Sequence, residues 1–307
     1  MKKFRGMKNK SNLMMWLLMT PALMYMFIFH YVPMFGLSVA FKDYNSYEGI
    51  FGSAWTEMGG FEHFYNFLTM PDFWKLLWNT LSLSCTSLFF AIVLPITFAL
   101  IVNEIRSKKF KRVVQTISYA PYFISTVVVV SMLFLFTDVE SGIINQLLQM
   151  MGADPVAFME REDLFVPLYV IVGVWQALGW SAIIYVGTLS NVDQSQHEAA
   201  VLDGANRFQR IIHVNLPAII PMAVINLLMQ IGNLLNVGFE KVYLMQTPGN
   251  IPASRIISTY VYEVSLQSNI PQFSYATAIG LFNSVVNIIL LLVANRICKK
   301  VSETSLW

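Results

Sequence analysis

The sequence predicts an all-α protein that crosses a membrane six times. Three observations point there. The 307 residues are 56% hydrophobic and 12% charged, against roughly 25% charged in a soluble domain. The mean hydropathy is +0.56. Six stretches exceed the roughly 20 apolar residues a membrane helix needs, and none holds an Asp, Glu, Lys or Arg. Backbone polar groups in hydrocarbon must be satisfied within their own segment, so each stretch should be helical.

The stretches are Leu13–Phe41, Leu76–Asn103, Val113–Thr137, Leu164–Val192, Ile211–Phe239 and Val264–Asn295. The fifth span is expected to start near Pro217 and the sixth near Phe273. The first follows Lys2, Lys3, Arg5, Lys8 and Lys10, as the core of a signal peptide would. It is too long for one, and no small-x-small cleavage pattern follows, so it reads as a retained anchor. Residues 1–12 then form a basic N-terminus, 13–297 one six-helix domain and 298–307 a tail. Prolines 21, 33, 95, 121 and 221 fall inside spans and loosen them.

Orientation follows from Lys and Arg. Fifteen of the 20 lie at the N-terminus, in the loop from Arg106 to Arg112, at Arg207 and Arg210, and at Arg296, Lys299 and Lys300. The alternate loops hold the other five: Lys42, Lys75, Arg161, Lys241 and Arg255. Both termini are therefore expected on the cytoplasmic side, with the polar loop after the fourth span. The first outer loop carries Phe61, Phe64, Tyr65, Phe67, Phe73, Trp74 and Trp78, which suit a short helix at the membrane interface.

Several function classes drop out. A net charge of +2 is too small to argue for nucleic acid. Cys85 and Cys298 read as free thiols. There is no metal-ligand cluster, no nucleophile–base pairing and no Gly-rich phosphate loop, so a catalytic role and an ATP site are not expected on this chain. No charge sits within a span. A proton- or sodium-coupled carrier usually needs an intramembrane carboxylate, so a neutral substrate and an external motor fit better.

The loop "EAAVLDGANRFQRIIHVNLPAI", Glu198 to Ile219, interrupts this apolar chain with acid, base and amide. Asp193 is a plausible N-cap, with Gln196 as its capping-box partner. A short helix should run through Glu198, Ala199, Ala200 and Leu202. Gly204 can take positive φ and end it. Asn206 can cap a second short helix, and Pro217 is tolerated in the first turn of the next span. From the residues alone, a docking helix and an ordinary connector lying on the membrane remain equally open.

This loop resembles the cytoplasmic signature of the permease subunits of ABC importers. The matching positions are Glu198-Ala199-Ala200, Gly204, Val214 where isoleucine is usual, and Leu216-Pro217. Asp203-Gly204-Ala205 is similar to the sugar-importing branch. Tyr119–Val130, Gly238–Pro248, Ser258–Leu266 and the closing Ser305–Trp307 are similar to segments of permeases that import complex carbohydrates. The resemblance implies the type I importer architecture in a bacterial cell membrane. It implies a second, similar permease, a dimer of separate ATPase subunits that binds the ATP and magnesium, and a solute-binding protein outside. Glu198, Ala199, Ala200, Asp203, Gly204, Leu216 and Pro217 would then couple this chain to the ATPase.

The substrate is less legible. Asn226, Gln230 and Asn233 recur at i, i+4 and i+7 and share a helix face. Trp175, Gln176, Trp180 and Tyr185 lie on the fourth span, and Asn283 and Asn287 on the sixth. Amides and aromatic faces suit sugar hydroxyls and C–H faces; equally, such amides join helices in membranes at about 0.6 kcal/mol each. Trp175, Gln176, Asn226, Gln230, Asn233 and Asn283 are the candidate pathway residues. Glu240 and Lys241 are candidates for a binding-protein contact or an outer gate. The expected cargo is an oligosaccharide. A polyol, glycerol phosphate or osmolyte on the same machine, or a channel or scaffold that uses no ATP, stays open.

Overall fold

The computed structural model describes residues 2–236, 238–302 and 305–306, with side chains from 13 to 300 (Val237 apart) and at 305 and 306. The side chains of the N-terminal basic cluster, and Trp307 of the closing segment, lie outside the described residues. The described chain is helical, with one isolated antiparallel bridge between Lys42 and Trp55. In order we label α1 (Leu13–Phe41), α2 (Glu62–Thr69), α3 (Phe73–Asn103), α4 (Lys108–Phe123) and α5 (Thr126–Thr137). Then follow α6 (Ile143–Met150), α7 (Glu162–Ser190), α8 (Gln194–Leu202), α9 (Arg207–Ile231), α10 (Phe239–Met245) and α11 (Phe273–Ser302). Helices α1, α3, α7, α9 and α11 are each long and apolar enough to span a bilayer, and α4 with α5 makes a bent sixth.

The described residues sort into two compact units. One comprises Met1–Met70 and Tyr262–Phe282. Its α1 is exposed at every residue from Leu13 to Phe35. Lys42 is buried here, donating to the carbonyls of Ile50 (3.0 Å) and Phe51 (3.1 Å). The first outer loop forms the short helix α2, while Phe73, Trp74 and Trp78 of the same stretch belong to α3. Helix α2 buries Phe67 against Tyr275 and Phe282 and leaves Tyr65 and Leu68 exposed.

The other unit comprises Pro71–Val261 and Asn283–Trp307. Its α7 packs along α3, and α9 packs on both. Apolar clusters close the two ends of α7. Phe165, Tyr169 and Val170 meet Leu83, Leu133, Val242 and Met245 at the first end. Ala182, Tyr185, Val186 and Leu189 meet Ala99 and Ile219 at the second. Buried asparagines fix the connecting segments, as a dry interior requires. Asn145 donates to the carbonyls of Thr137, Asp138 and Val156 and accepts from Val156 N. Asn250 donates to the carbonyls of Met159 and Met245.

The third apolar run is not one helix. Helices α4 and α5 meet at a 97° bend. Pro121 has no N–H to give its helix, and the chain tightens to a 3-10 turn over Ala120–Phe123. Ile124 is extended (φ −81, ψ 131), and Ser125 starts a new helix by accepting from Val128 N. The broken end is satisfied from α7: Gln176 Nε2 donates to the Ile124 carbonyl at 2.9 Å. Trp180 stacks flat on Tyr122, with centroids 4.5 Å apart. At Gly179 a Cβ would strike the Ser118 carbonyl, so this approach requires glycine. Gly179→Val is expected to lower stability by about 3 kcal/mol, because backbone cannot yield as a flexible side chain would. Gly187, with open space around it, is the control. Thermal unfolding in detergent reads the difference; equal midpoints for Gly179→Val and Gly187→Val would refute the close approach.

The fifth run meets expectation at its start and differs at its end. Its α-helical span starts at Leu216, beside Pro217, and is joined to Arg207–Arg210 without a break. The join is a π-turn over Ile211–Asn215, where Leu216 N donates back to Ile211 O and shifts the hydrogen-bond register just before the proline. The helix stops at Gly232 rather than Phe239. Leu235 N, freed by that stop, donates to Asn287 Oδ1 at 3.0 Å. Gly238 (φ +38) then begins α10, and a Cβ there would overlap the Tyr169 hydroxyl.

Candidate functional site

Two regions carry the residues picked out by the sequence. The first is the loop from α7 into α9. Asp193 caps α8, its carboxylate accepting from Ser195 N at 2.9 Å. The Ser195 amide, then its hydroxyl, holds the Asp193 carboxyl below the usual carboxylate range. The capping box lies one helix later than expected. Asn206 Oδ1 accepts from Gln209 N (2.9 Å) and Gln209 Oε1 accepts from Asn206 N (2.8 Å), whereas Gln196 only donates its backbone N–H to Asp193 O. The Asp193 carboxylate turns to the nearer i+2 amide instead.

Gly204 has φ +83. Around it Ala205 N donates to Ala200 O and Gly204 N to Val201 O, the paired bonds of a Schellman motif. Helix α8 buries none of its residues. Glu198, Ala199 and Asp203 are exposed, Ala200 is half-buried, and Leu202 is 88% exposed. Phe208 is also exposed. The loop is nevertheless anchored. Val192 and Leu216, near its two ends, pack on the Tyr185–Leu189–Ile219 cluster, with Pro217 exposed beside them. An anchored helix with bare apolar side chains is the kind of surface that can seat another protein.

The second region lies between the clusters. Helices α3, α7 and α9 line neighbouring cavities of about 740, 310 and 170 Å³, the largest touching all three helices, the second α3 and α9, and the smallest α3, α7 and Lys241. The largest falls in the 300–1,000 Å³ range typical of ligand sites, roughly. Trp180, Ser181, Asn226 and Gln230 line it, and Gln230 and Asn233 continue into the second with Ser84 and Ser87. Asn226 Nδ2 donates to the Tyr185 hydroxyl (2.9 Å), and Gln230 Nε2 donates to Asn226 Oδ1 (3.3 Å). Asn226 and Gln230 thus share the wall of the largest cavity, and Gln230 and Asn233 that of the second. Trp175, Gln176 and Asn283 line neither. Gln176 is committed to Ile124, and Asn283 is buried elsewhere.

The smallest cavity holds a surprise. Lys241 does not point away from the span ends. The tight start at Gly238 turns α10 over α7, and Lys241 Nζ donates to the Tyr169 carbonyl at 3.1 Å, 3.7 Å from the centroid of its ring. Burial lowers the ammonium pKa to about 8. Glu240, its neighbour, is exposed. Ser87, Gly173 and Ser181 line the same cavity. Sequence reading missed Ser87 and Ser181, although Ser82, Ser84 and Ser87 make a small polar run inside an apolar helix.

An exposed polar loop and amide-bearing cavities, on a bundle of apolar helices, fit the membrane subunit of a transporter. Comparison with known proteins agrees. The family described as the binding-protein-dependent transport system inner membrane component matches residues 91–303, and the chain belongs to that family. It is 42% identical to Protein LplB of Bacillus subtilis (strain 168), over 97% of this chain and 92% of that one. It is 41% identical to the polygalacturonan/rhamnogalacturonan transport system permease protein YteP of the same organism, over 95% and 90%. Among solved structures it resembles a chain of a bacterial alginate ABC transporter in complex with an alginate pentasaccharide-bound periplasmic protein. The TM-score is 0.88 and the identity 34%, over 97% of this chain and 98% of that one. The chain is a multi-pass membrane permease of an ABC importer, not an enzyme.

Proposed function

We propose that the chain carries an oligosaccharide across the bacterial cell membrane in steps driven by an ATPase on other subunits. The observation that carries this is the cavity lined by Asn226, Gln230 and Trp180, hydrogen-bonding groups and an aromatic ring in one space, in a family of binding-protein-dependent permeases. The relatives point the same way: YteP is named for polygalacturonan and rhamnogalacturonan, and the solved neighbour for alginate. In this reading both termini face the cytoplasm. Residues 13–297 form the permease domain between the short segments 1–12 and 298–307. A second permease completes the passage, a solute-binding protein delivers cargo to the outer mouth, and two ATPase subunits hold ATP and magnesium below. Glu198 to Pro217 is where the ATPase grips.

Proteoliposomes holding the complete transporter test this. Uptake of a labelled oligosaccharide is expected only with ATP inside and the binding protein outside, at least about tenfold over either omission. Flux without ATP would make the chain part of a channel. ATP-driven uptake of a polyol with no oligosaccharide would keep the machine and change its cargo.

A further inference from the structure

We infer that Lys241 is a carboxylate-recognising residue in the passage, so the cargo is an oligosaccharide bearing uronate groups. The inference rests on the oligosaccharide reading and departs from the neutral substrate that the uncharged spans implied.

The ammonium at Lys241 is the charge of the smallest cavity, whose walls include the apolar Phe90, Val170 and Val174. An ammonium has three donors. The Tyr169 carbonyl takes one, and the Tyr169 ring lies within cation–π distance. Among the described residues no carboxylate pairs with it. An unpaired charge so placed is costly, and such groups in membrane proteins mark ligand pathways. Ser87 also lines this cavity, and its buried Oγ has no hydrogen-bond partner. A cation with unused donors in a cavity wall matches a carboxylate, which accepts from it. The cavity borders the amide-lined spaces that would hold the neutral parts of the sugar, sharing Ala91, Ala177 and Ser181 with one and Ser87 and Ala91 with the other. The lowered ammonium pKa is consistent with a cation awaiting its counter-ion.

Gly173 supplies an independent handle. A Cβ there would lie 2.5 Å from Lys241 Nζ and would displace it without removing its charge. The test uses the complete transporter in proteoliposomes. Its probes are trisaccharides of galacturonate, glucuronate and mannuronate, each paired with its carboxyl-reduced form. Wild type is expected to take up at least one uronate form better than its reduced partner. Lys241→Gln should lower that ratio about tenfold or more, as loss of a buried charge partner does. Gly173→Ala should lower it in the same direction. If Lys241→Gln lowers uptake of both forms equally, and Gly173→Ala leaves the ratio unchanged, Lys241 is a latch between α10 and α7 and the inference falls. If reduced sugars enter and no uronate does, the inference falls and the oligosaccharide reading stands. If no oligosaccharide enters at all, both fall.

Discussion

Glu198→Arg is expected to abolish uptake while leaving the fold untouched. The separation follows from geometry. Helix α8 buries no residue, and Glu198 is exposed. Surface substitutions away from caps and cores shift stability by about 0.5 kcal/mol or less. Asp193, the cap of α8, and Val192 and Leu216, its anchors, are untouched by the change. A charge reversal within a docking surface costs several kcal/mol of association, roughly a hundredfold or more. Purification from membranes reads this directly: wild type should bring down an ATPase and a second permease, and the variant should lose the ATPase while keeping its unfolding midpoint. An ATPase that binds both equally would show that Glu198 is not a docking contact. An ATPase that never co-purifies would count against the coupling role of the whole loop.

The legibility of this molecule follows the range of the forces involved. Spans were readable because hydropathy is local and the bilayer sets a length; the first helical run ends at Phe41 and α11 starts at Phe273, as expected. The Gly204 turn was readable because only glycine takes φ +83 without strain. The kink before α5 was less so. Pro121 announces weakness, but the 97° bend needs Gln176 and Gly179 on another helix to receive it, and those partners are over 50 residues away. For the same reason Gln176 looked like a pathway amide and is instead bonded to backbone. Lys241 shows the opposite error. It lies outside every apolar run, so counting charges within spans passed over it, yet α10 folds back and sets its ammonium inside. Helical periodicity puts Asn226 and Gln230 on one cavity wall, while Asn233 lies past the helix end, in the turn after Gly232.

Substitutions at Gly204 should separate coupling from transport machinery. The residue has φ +83 and nothing within 4 Å of a built Cβ, so any change costs backbone strain rather than collision. A non-glycine residue in this region costs about 1–2 kcal/mol, least for Asn and Asp, which tolerate it through local hydrogen bonds. Valine, β-branched, tolerates it worst. That strain acts on the turn between α8 and the capped start of α9, the only stretch joining the outstanding helix to the fifth span. Gly204→Val should therefore re-aim α8 and lower uptake about tenfold or more, while the ATPase continues to hydrolyse ATP without moving sugar. Gly204→Asn should stay within about threefold of wild type. Gly204→Asp shares the backbone tolerance of Asn and adds one negative charge beside Asp203, so any gap between the two reports electrostatics at the ATPase surface rather than strain. Uptake and ATP hydrolysis measured together in proteoliposomes give the ratio that decides. Tight coupling in all three variants would mean that the left-handed turn is incidental, and that the motor's pull reaches α9 through the Val192 and Leu216 anchors alone.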